Sequence, residues 1–402
     1  MGMPLVTSPP KGQTLSFKNL VLTYSNESLM DFRYQGVSLE EAIFKPLKAS
    51  QFGLYFTLDP SIGVVCQEIF DLAGHIQKTL GKYTLSAGIA NAAFGWFKNA
   101  TRPLSSVGAQ VASTIVWQKV CEEAWKWETR NNPIKLHKGT PYYFLAGEYL
   151  TAGNLDAGYL FVHNAVEEDK RLALQTGTPQ SYKDCPAYML ASLVVSKNNY
   201  LHDLVDEMKK TIDAYISSFV TAFGAFSFSD LENKFLRNDA LEEIKYVFIY
   251  NMSSLIQQKK LVVSGDLMNN DFSRLRNLDT IVNFSIIIDK VLQARFGEDY
   301  MNRNIEAYSA TKGLTKAQLE RFKNEKAFGD DPDVIIPKLL PATVTFNDGT
   351  PVRPEIVCML IAHKLRNYGS HNLSSQLIFA TQYNQVIEKL MHSLFLAVKE
   401  LP

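Results

Sequence analysis

Along most of this chain apolar residues recur at spacings of three and four, the signature of helices that bury one stripe. Between Val111 and Trp127 the positions Val116, Trp117, Val120, Cys121 and Ala124 keep that spacing and predict a core helix. Near the carboxyl end, Ile387, Leu390, Met391, Leu394, Phe395 and Val398 fall on one face and predict an amphipathic helix over 373–399. The segment 272–296 has apolar residues on two faces: Leu275, Leu278 and Val282 on one, Ile281, Phe284, Ile288 and Leu292 on the other. Such a helix belongs at the centre of a bundle or at a dimer contact. Helices are also predicted over 232–260, 315–328 and 353–370. The stretch GDDPDVIIPKLLPATVTFNDGTPVRP between the last two reads as a long loop. The start of the chain is different. TLSFKNLVLTY and FGLYFTL are short, β-prone and bounded by Pro, Gly, Asn and Ser, and predict a small strand-containing segment. The fold class is therefore mainly α: a helical N-terminal region with a small β-containing segment at its start, and a C-terminal helical bundle.

Residues 142–170 have a repeat-like pattern, YYFLAGEYLTAGNLDAGYLFVHNAVEEDK. Tyr142, Leu145, Ala146, Tyr149, Gly153, Leu155, Gly158, Val162 and Ala165 fall where a tetratricopeptide repeat places bulky or small residues, and the segment resembles one such helical hairpin. Ala146, Gly158 and Ala165 are small enough to let two antiparallel helices approach closely. PAYMLASLVV, after Cys185, is a candidate start for a second, weaker unit. A single repeat cannot form a solenoid, which needs about three. The polar stretch FSFSDLENK around Asp230 has helix-start chemistry. It divides the chain into an N-terminal region, 1–229, and a C-terminal bundle, 230–402.

Composition narrows the function classes. The chain has 402 residues, 46% hydrophobic and 20% charged, with 41 basic side chains against 41 acidic ones. That profile excludes disorder, collagen or a coiled coil as the whole answer, and it removes the broad positive field of a nucleic-acid coat protein. Cys66, Cys121, Cys185 and Cys358 are widely spaced and contain no C-x-x-C pair, so reduced thiols are expected rather than a zinc ribbon or disulfide framework. The opening MGMPLVTSPPKG lacks the apolar core of a signal peptide, and no apolar run approaches the ~18 residues of a membrane span. A cytoplasmic protein with no membrane partner, no metal and no cofactor is expected.

Candidate chemistry concentrates in PEIVCMLIAHKLRNYGSHN, residues 354–372. On a helix, Val357, Ile361, Leu365 and Tyr368 share one side, while His363, Arg366, Asn367, Ser370 and His371 recur on the other. Arg366 and His371 lie about 140° apart round an ideal helix, so their tips converge only if Gly369 and Ser370 bend or end it, or if a symmetry mate supplies the complement. Arg366-Asn367-Tyr368-Gly369-Ser370-His371 resembles the motif of the HEPN ribonucleases, an Arg followed after four to six residues by His, with a polar residue directly after the Arg. The position just ahead of a final amphipathic helix is similar too. Toxin-type members add a Tyr two residues after the His, where this chain has Leu373.

The resemblance implies a metal-independent endoribonuclease that is a homodimer through the C-terminal bundle, with two Arg–His sets lining one cleft. RNA carries its own nucleophile, the 2′-hydroxyl. His371 would move the protons, Arg366 would clamp the scissile phosphate, and Asn367 would orient the His or the phosphate. His363, Lys364 and Ser370 are the expected substrate contacts. Lys312, Lys316, Arg321, Lys323 and Lys326, with Arg353 and Lys364 near the motif, offer a local basic patch. Members of such architectures often act as regulated defence or toxin effectors, and the N-terminal region would then receive a protein or ligand trigger.

Other readings compete. The same bundle fits a non-catalytic helical interaction or dimerisation protein, with Gly369 ending a surface helix and His371 and Asn372 capping the next. Arg130 also precedes His137 at suitable spacing, but Pro133 interrupts a helix there. Trp117, Trp125 and Trp127 are either a ligand-stacking surface or buried packing, with packing preferred. The acidic group Asp330, Asp331 and Asp333 is read as solvated loop charge. His75, His137, His163, His202 and His392 lack spaced partners suited to a metal site.

Overall fold

The structure, a computed structural model, describes residues 14–25, 28–43, 60–81, 83–106, 110–195, 197, 199, 201–261, 271–329, 331–368, 378 and 381–402. It is mainly helical, with one small antiparallel sheet near the N-terminus. Among the described residues no helix is long and apolar enough to cross a membrane. The chain forms two compact units, Met1–Leu190 and Ala191–Pro402. This division falls earlier than the polar stretch at Asp230, because the helix ahead of that stretch spends its apolar face on the second unit.

The first unit opens with a four-stranded meander: β1 (Thr14–Phe17), β2 (Leu20–Ser25), β3 (Ser28–Tyr34) and β4 (Val37–Ser38). Period-two alternation decides its faces. Leu20 pairs with Tyr34 and Leu22 with Phe32, and all four are buried, while Arg33 between them is exposed. Gln35 and Gly36 turn β3 into β4, both at positive φ (51° and 83°), the requirement that makes glycine useful in a two-residue hairpin. FGLYFTL lies outside the described residues.

Helices α1 (Pro60–Leu80), α2 (Tyr83–Ser106) and α3 (Gln110–Arg130) follow, then the hairpin α4 (Gly139–Thr151) and α5 (Leu155–Gln175). The α4–α5 pair is the most intimate helix packing of the chain. Ala146 and Ala165 are fully buried, and a Cβ at Gly158 would sit 2.5 Å from Leu150 Cδ2. Asn154 caps α5 by accepting the Ala157 N–H at 3.1 Å. After Pro186 only the short α6 (Pro186–Ala191) forms, not a second hairpin.

The second unit contains α7 (His202–Phe223), the short α8 (Phe228–Leu231), α9 (Glu242–Leu261), α10 (Asp271–Phe296), α11 (Met301–Thr311), α12 (Lys316–Glu325), α13 (Pro332–Leu339), α14 (Pro354–Tyr368) and α15 (Tyr383–Lys399). The helix-start chemistry near Asp230 is a capping box, Ser227 and Asp230 bonding reciprocally at the start of α8. α10 is central, packing on α9, α11, α14 and α15, and α7 packs on α9 and α15. On α10, Ile281, Phe284, Ile287, Ile288, Val291 and Leu292 are fully buried. On α15 every residue from Leu390 to Val398 is buried, so the predicted stripe is part of a wider apolar surface. Each such Leu, Ile or Phe contributes roughly 1.5–3 kcal/mol on burial.

Two expectations for this unit are corrected. The stretch read as a long loop contains α13, started by Asp331, which accepts the Asp333 N–H, with Pro332 in the first turn. Pro at the first helical position costs no hydrogen bond, and the acids there complement the helix dipole, so Asp331 and Asp333 are a helix start. α11 fills a segment where no helix was expected.

Candidate functional site

α14 carries the predicted site residues. Its first turns are apolar all round: Ile356, Val357, Cys358, Met359, Leu360, Ile361, Ala362 and Leu365 are buried. The polar face is confined to the C-terminal end, where His363, Lys364 and Arg366 are half-buried and Asn367 is exposed. Ser370 and His371 lie outside the described residues.

Each half-buried side chain has a defined setting. The guanidinium Nη2 of Arg366 lies 2.8 Å from Oδ2 of Asp289 on α10, whose side chain is only 6% exposed. Burial pushes the Asp289 carboxyl above its usual range, with Arg366 and Lys290 pulling it back. The His363 ring stacks on Phe328, which follows α12, at 5.7 Å between centroids and 16° between planes. Lys364 Nζ donates to the Phe328 carbonyl at 3.0 Å and lies 5.8 Å from the Phe328 ring. Burial, with the nearby charges of Lys323, Arg366 and Lys364, pushes His363 down to about 4. His363 is therefore neutral near pH 7, and three cations share its neighbourhood.

No family model, curated protein or solved structure matches the chain.

The wider basic patch is largely neutralised. Lys312 pairs with Glu400, Arg321 with Glu325 and Asp348 at 2.6 Å each, and Lys323 with Glu320 at 3.2 Å. Lys316 lies 3.9 Å from Glu306, and Arg353 pairs with Glu355 at 2.5 Å. Arg366, Lys364 and Lys323 lie around His363, and of these Arg366 and Lys323 each have a carboxylate partner, Asp289 and Glu320. Exposed ion pairs of this kind add little stability, but they cancel the long-range field.

Asp289 and Phe328 escaped the sequence reading. A signal for Asp289 exists: it is a carboxylate set directly after the apolar run Ile286, Ile287 and Ile288. Such a charge needs a partner. Phe328 had no comparable signal, because nothing in the order of residues shows that the turn after α12 folds over α14.

The first unit has buried charge of its own. Lys138, at the start of α4, lies 2.5 Å from Glu128 and 3.0 Å from Glu168, with both Lys138 and Glu128 under a tenth exposed. His137 Nε2 lies 2.9 Å from Asp169 Oδ1, and its Nδ1 lies 3.3 Å from Asn91 Oδ1. Trp117 and Trp127 are buried, whereas Trp125 is 42% exposed. The four cysteines are free; burial pushes the Cys185 thiol up to about 12, with Asp169 adding to the shift. Among the described residues no group of His, Cys, Asp and Glu is arranged to hold a metal ion.

Proposed function

We propose that the second unit is a HEPN-like endoribonuclease that cleaves RNA through its own 2′-hydroxyl. The observation that carries this reading is the placement of Arg366: a buried carboxylate, Asp289, holds it at one end while a third of its side chain stays exposed beside Lys364 and Lys323. A guanidinium oriented in this way offers its remaining N–H groups to two phosphate oxygens.

In the proposed reaction the 2′-oxygen attacks phosphorus, its proton passes to a base, the bond from phosphorus to the 5′-oxygen breaks, and that oxygen is protonated as it leaves. The products are a 2′,3′-cyclic phosphate and a 5′-hydroxyl. His371 is the proposed acid or base, supplied twice in a homodimer. Arg366 offsets charge growing on the phosphate oxygens. His363, neutral at pH 7, accepts a hydrogen bond rather than supplying a proton. Asn367, Lys364 and Ser370 complete the proposed contacts, and regulation through the first unit suits a defence or toxin effector.

A second reading is favoured by one feature. Arg366 and Lys364 both serve packing, on Asp289 and the Phe328 carbonyl, which fits a non-catalytic helical interaction or dimerisation module. RNA cleavage in EDTA by wild type, Arg366→Ala and His371→Ala separates the two. Activity lost in both variants, with helical content intact, supports the nuclease. Equal cleavage by all three, or none by wild type, sinks it.

A further inference from the structure

A cavity of about 420 Å³ opens on the first unit, lined by Trp125, Glu128, Thr129, Asn132 and Lys135. Its volume falls within the range of small-molecule sites, about 300–1,000 Å³. The proposed nuclease makes no use of these residues.

Three chemistries meet there. Trp125 is an aromatic wall, 42% exposed, and its indole N–H donates to the Tyr142 hydroxyl at 2.6 Å, which fixes the ring. Glu128 is a buried carboxylate, its side chain 8% exposed. Oε1 of Glu128 accepts the Leu136 N–H at 2.8 Å and faces Lys138 Nζ at 2.5 Å, so that oxygen is held. Oε2 faces Lys135 Nζ at 3.6 Å, longer than a hydrogen bond, and so keeps acceptor capacity toward the cavity it lines. Lys135 is half-exposed on a long stem and can reach an anion at the mouth. Thr129, whose hydroxyl donates to the Trp125 carbonyl at 2.9 Å, and Asn132 complete the lining.

We infer that this cavity binds a nucleoside monophosphate: the base stacks on Trp125, a base N–H donates to Glu128 Oε2, and the phosphate pairs with Lys135. A flat π-face, a hydrogen-bond donor and an anion on one small molecule are what those three side chains recognise together. Stacking supplies most of the affinity and tolerates any base, while the carboxylate favours bases that present N–H groups. The inference does not rest on the nuclease reading, and it gives the first unit a ligand-sensing site.

The test is calorimetric titration and tryptophan fluorescence of the full chain with AMP, GMP, CMP and UMP, with the parent nucleosides and inorganic phosphate as controls, and with a single-stranded oligonucleotide as the alternative occupant. Binding of at least one mononucleotide with quenching of fluorescence is expected. Trp125→Ala should weaken it about five- to a hundredfold, from the ~1–3 kcal/mol per stacked base, whereas Trp125→Phe retains most of it. Lys135→Ala should weaken nucleotides and leave nucleosides unchanged. Thermal melts of each variant establish that the fold persists. Four nucleotides that all fail to bind at millimolar concentration overturn the inference, as does unchanged affinity in Trp125→Ala or binding of the oligonucleotide alone.

Discussion

Arg366 near the end of α14 lies 2.8 Å from Asp289 on the neighbouring α10, so the polar end of α14 meets a buried carboxylate of the central helix. In the proposed nuclease, Arg366→Lys preserves the charge but not the planar fork, so cleavage should fall on the order of tenfold or more while stability drops by about 1 kcal/mol or less. Asp289→Asn removes a buried charge and should leave stability within about 1 kcal/mol while loosening the guanidinium. Urea denaturation and single-turnover RNA cleavage measure both effects.

Acid should weaken the second unit. His363 and His392 are both held neutral, their values pushed down from the ordinary 6.5 to about 4 by burial. The unfolded chain binds their protons first as pH falls, so their contribution is complete above about 6.5 and disappears toward 4. Each is worth roughly 2–3 kcal/mol. Asp289, raised by burial, acts in the opposite sense near the lower limit and offsets part of the loss. Denaturant midpoints from pH 7.5 to 4 should fall, and a His363→Gln, His392→Gln double variant should flatten that slope.

Two glycines should respond oppositely to the same change. In Gly158→Ala the new methyl would sit 2.5 Å from Leu150 Cδ2, an overpacking that costs about 1–3 kcal/mol. At Gly88, inside α2, a Cβ meets nothing within 4 Å, so Gly88→Ala should stabilise by up to ~1 kcal/mol through helix propensity alone. Calorimetric melting temperatures report the signs.

Lys138 holds two carboxylates, Glu128 at 2.5 Å and Glu168 at 3.0 Å. Lys138→Ala removes the cation both share, leaving Glu168 with Arg171 and Glu128 with the longer Lys135 contact, and should cost at most about 3–5 kcal/mol. Adding Glu128→Gln to that variant should recover part of the loss. A double-mutant cycle by urea denaturation would show an interaction well above 1 kcal/mol, and simple additivity would mean that water takes the place of the lysine.

Much of this architecture was legible from periodicity. The stripe Ile387, Leu390, Met391, Leu394, Phe395 and Val398 is buried; of the two apolar faces of 272–296 the one with Ile281, Phe284, Ile288 and Leu292 is buried at the centre, whereas on the other Leu275 is 46% exposed; and Ala146 and Ala165 are buried in the α4–α5 hairpin with Gly158 pressed against Leu150. α13 was missed because Pro332 and Pro337 read as loop residues, although proline is well tolerated in a first helical turn. Within the candidate site Arg366, His363, Lys364 and Asn367 were legible as a polar stripe, but their partners Asp289 and Phe328 were not.

Local order along the chain thus determined most of the helices outside α11 and α13, several of their buried stripes, and where charge stands at the end of α14, because these depend on neighbours three and four positions apart. Only the tertiary structure decided that Asp289 receives Arg366, that Phe328 covers His363, that acids neutralise most of the basic patch, and that Trp125 rather than Trp117 or Trp127 faces a cavity. These pairings join residues from different helices and loops, and the energy that selects them comes from packing and desolvation in the assembled core, which no single segment contains.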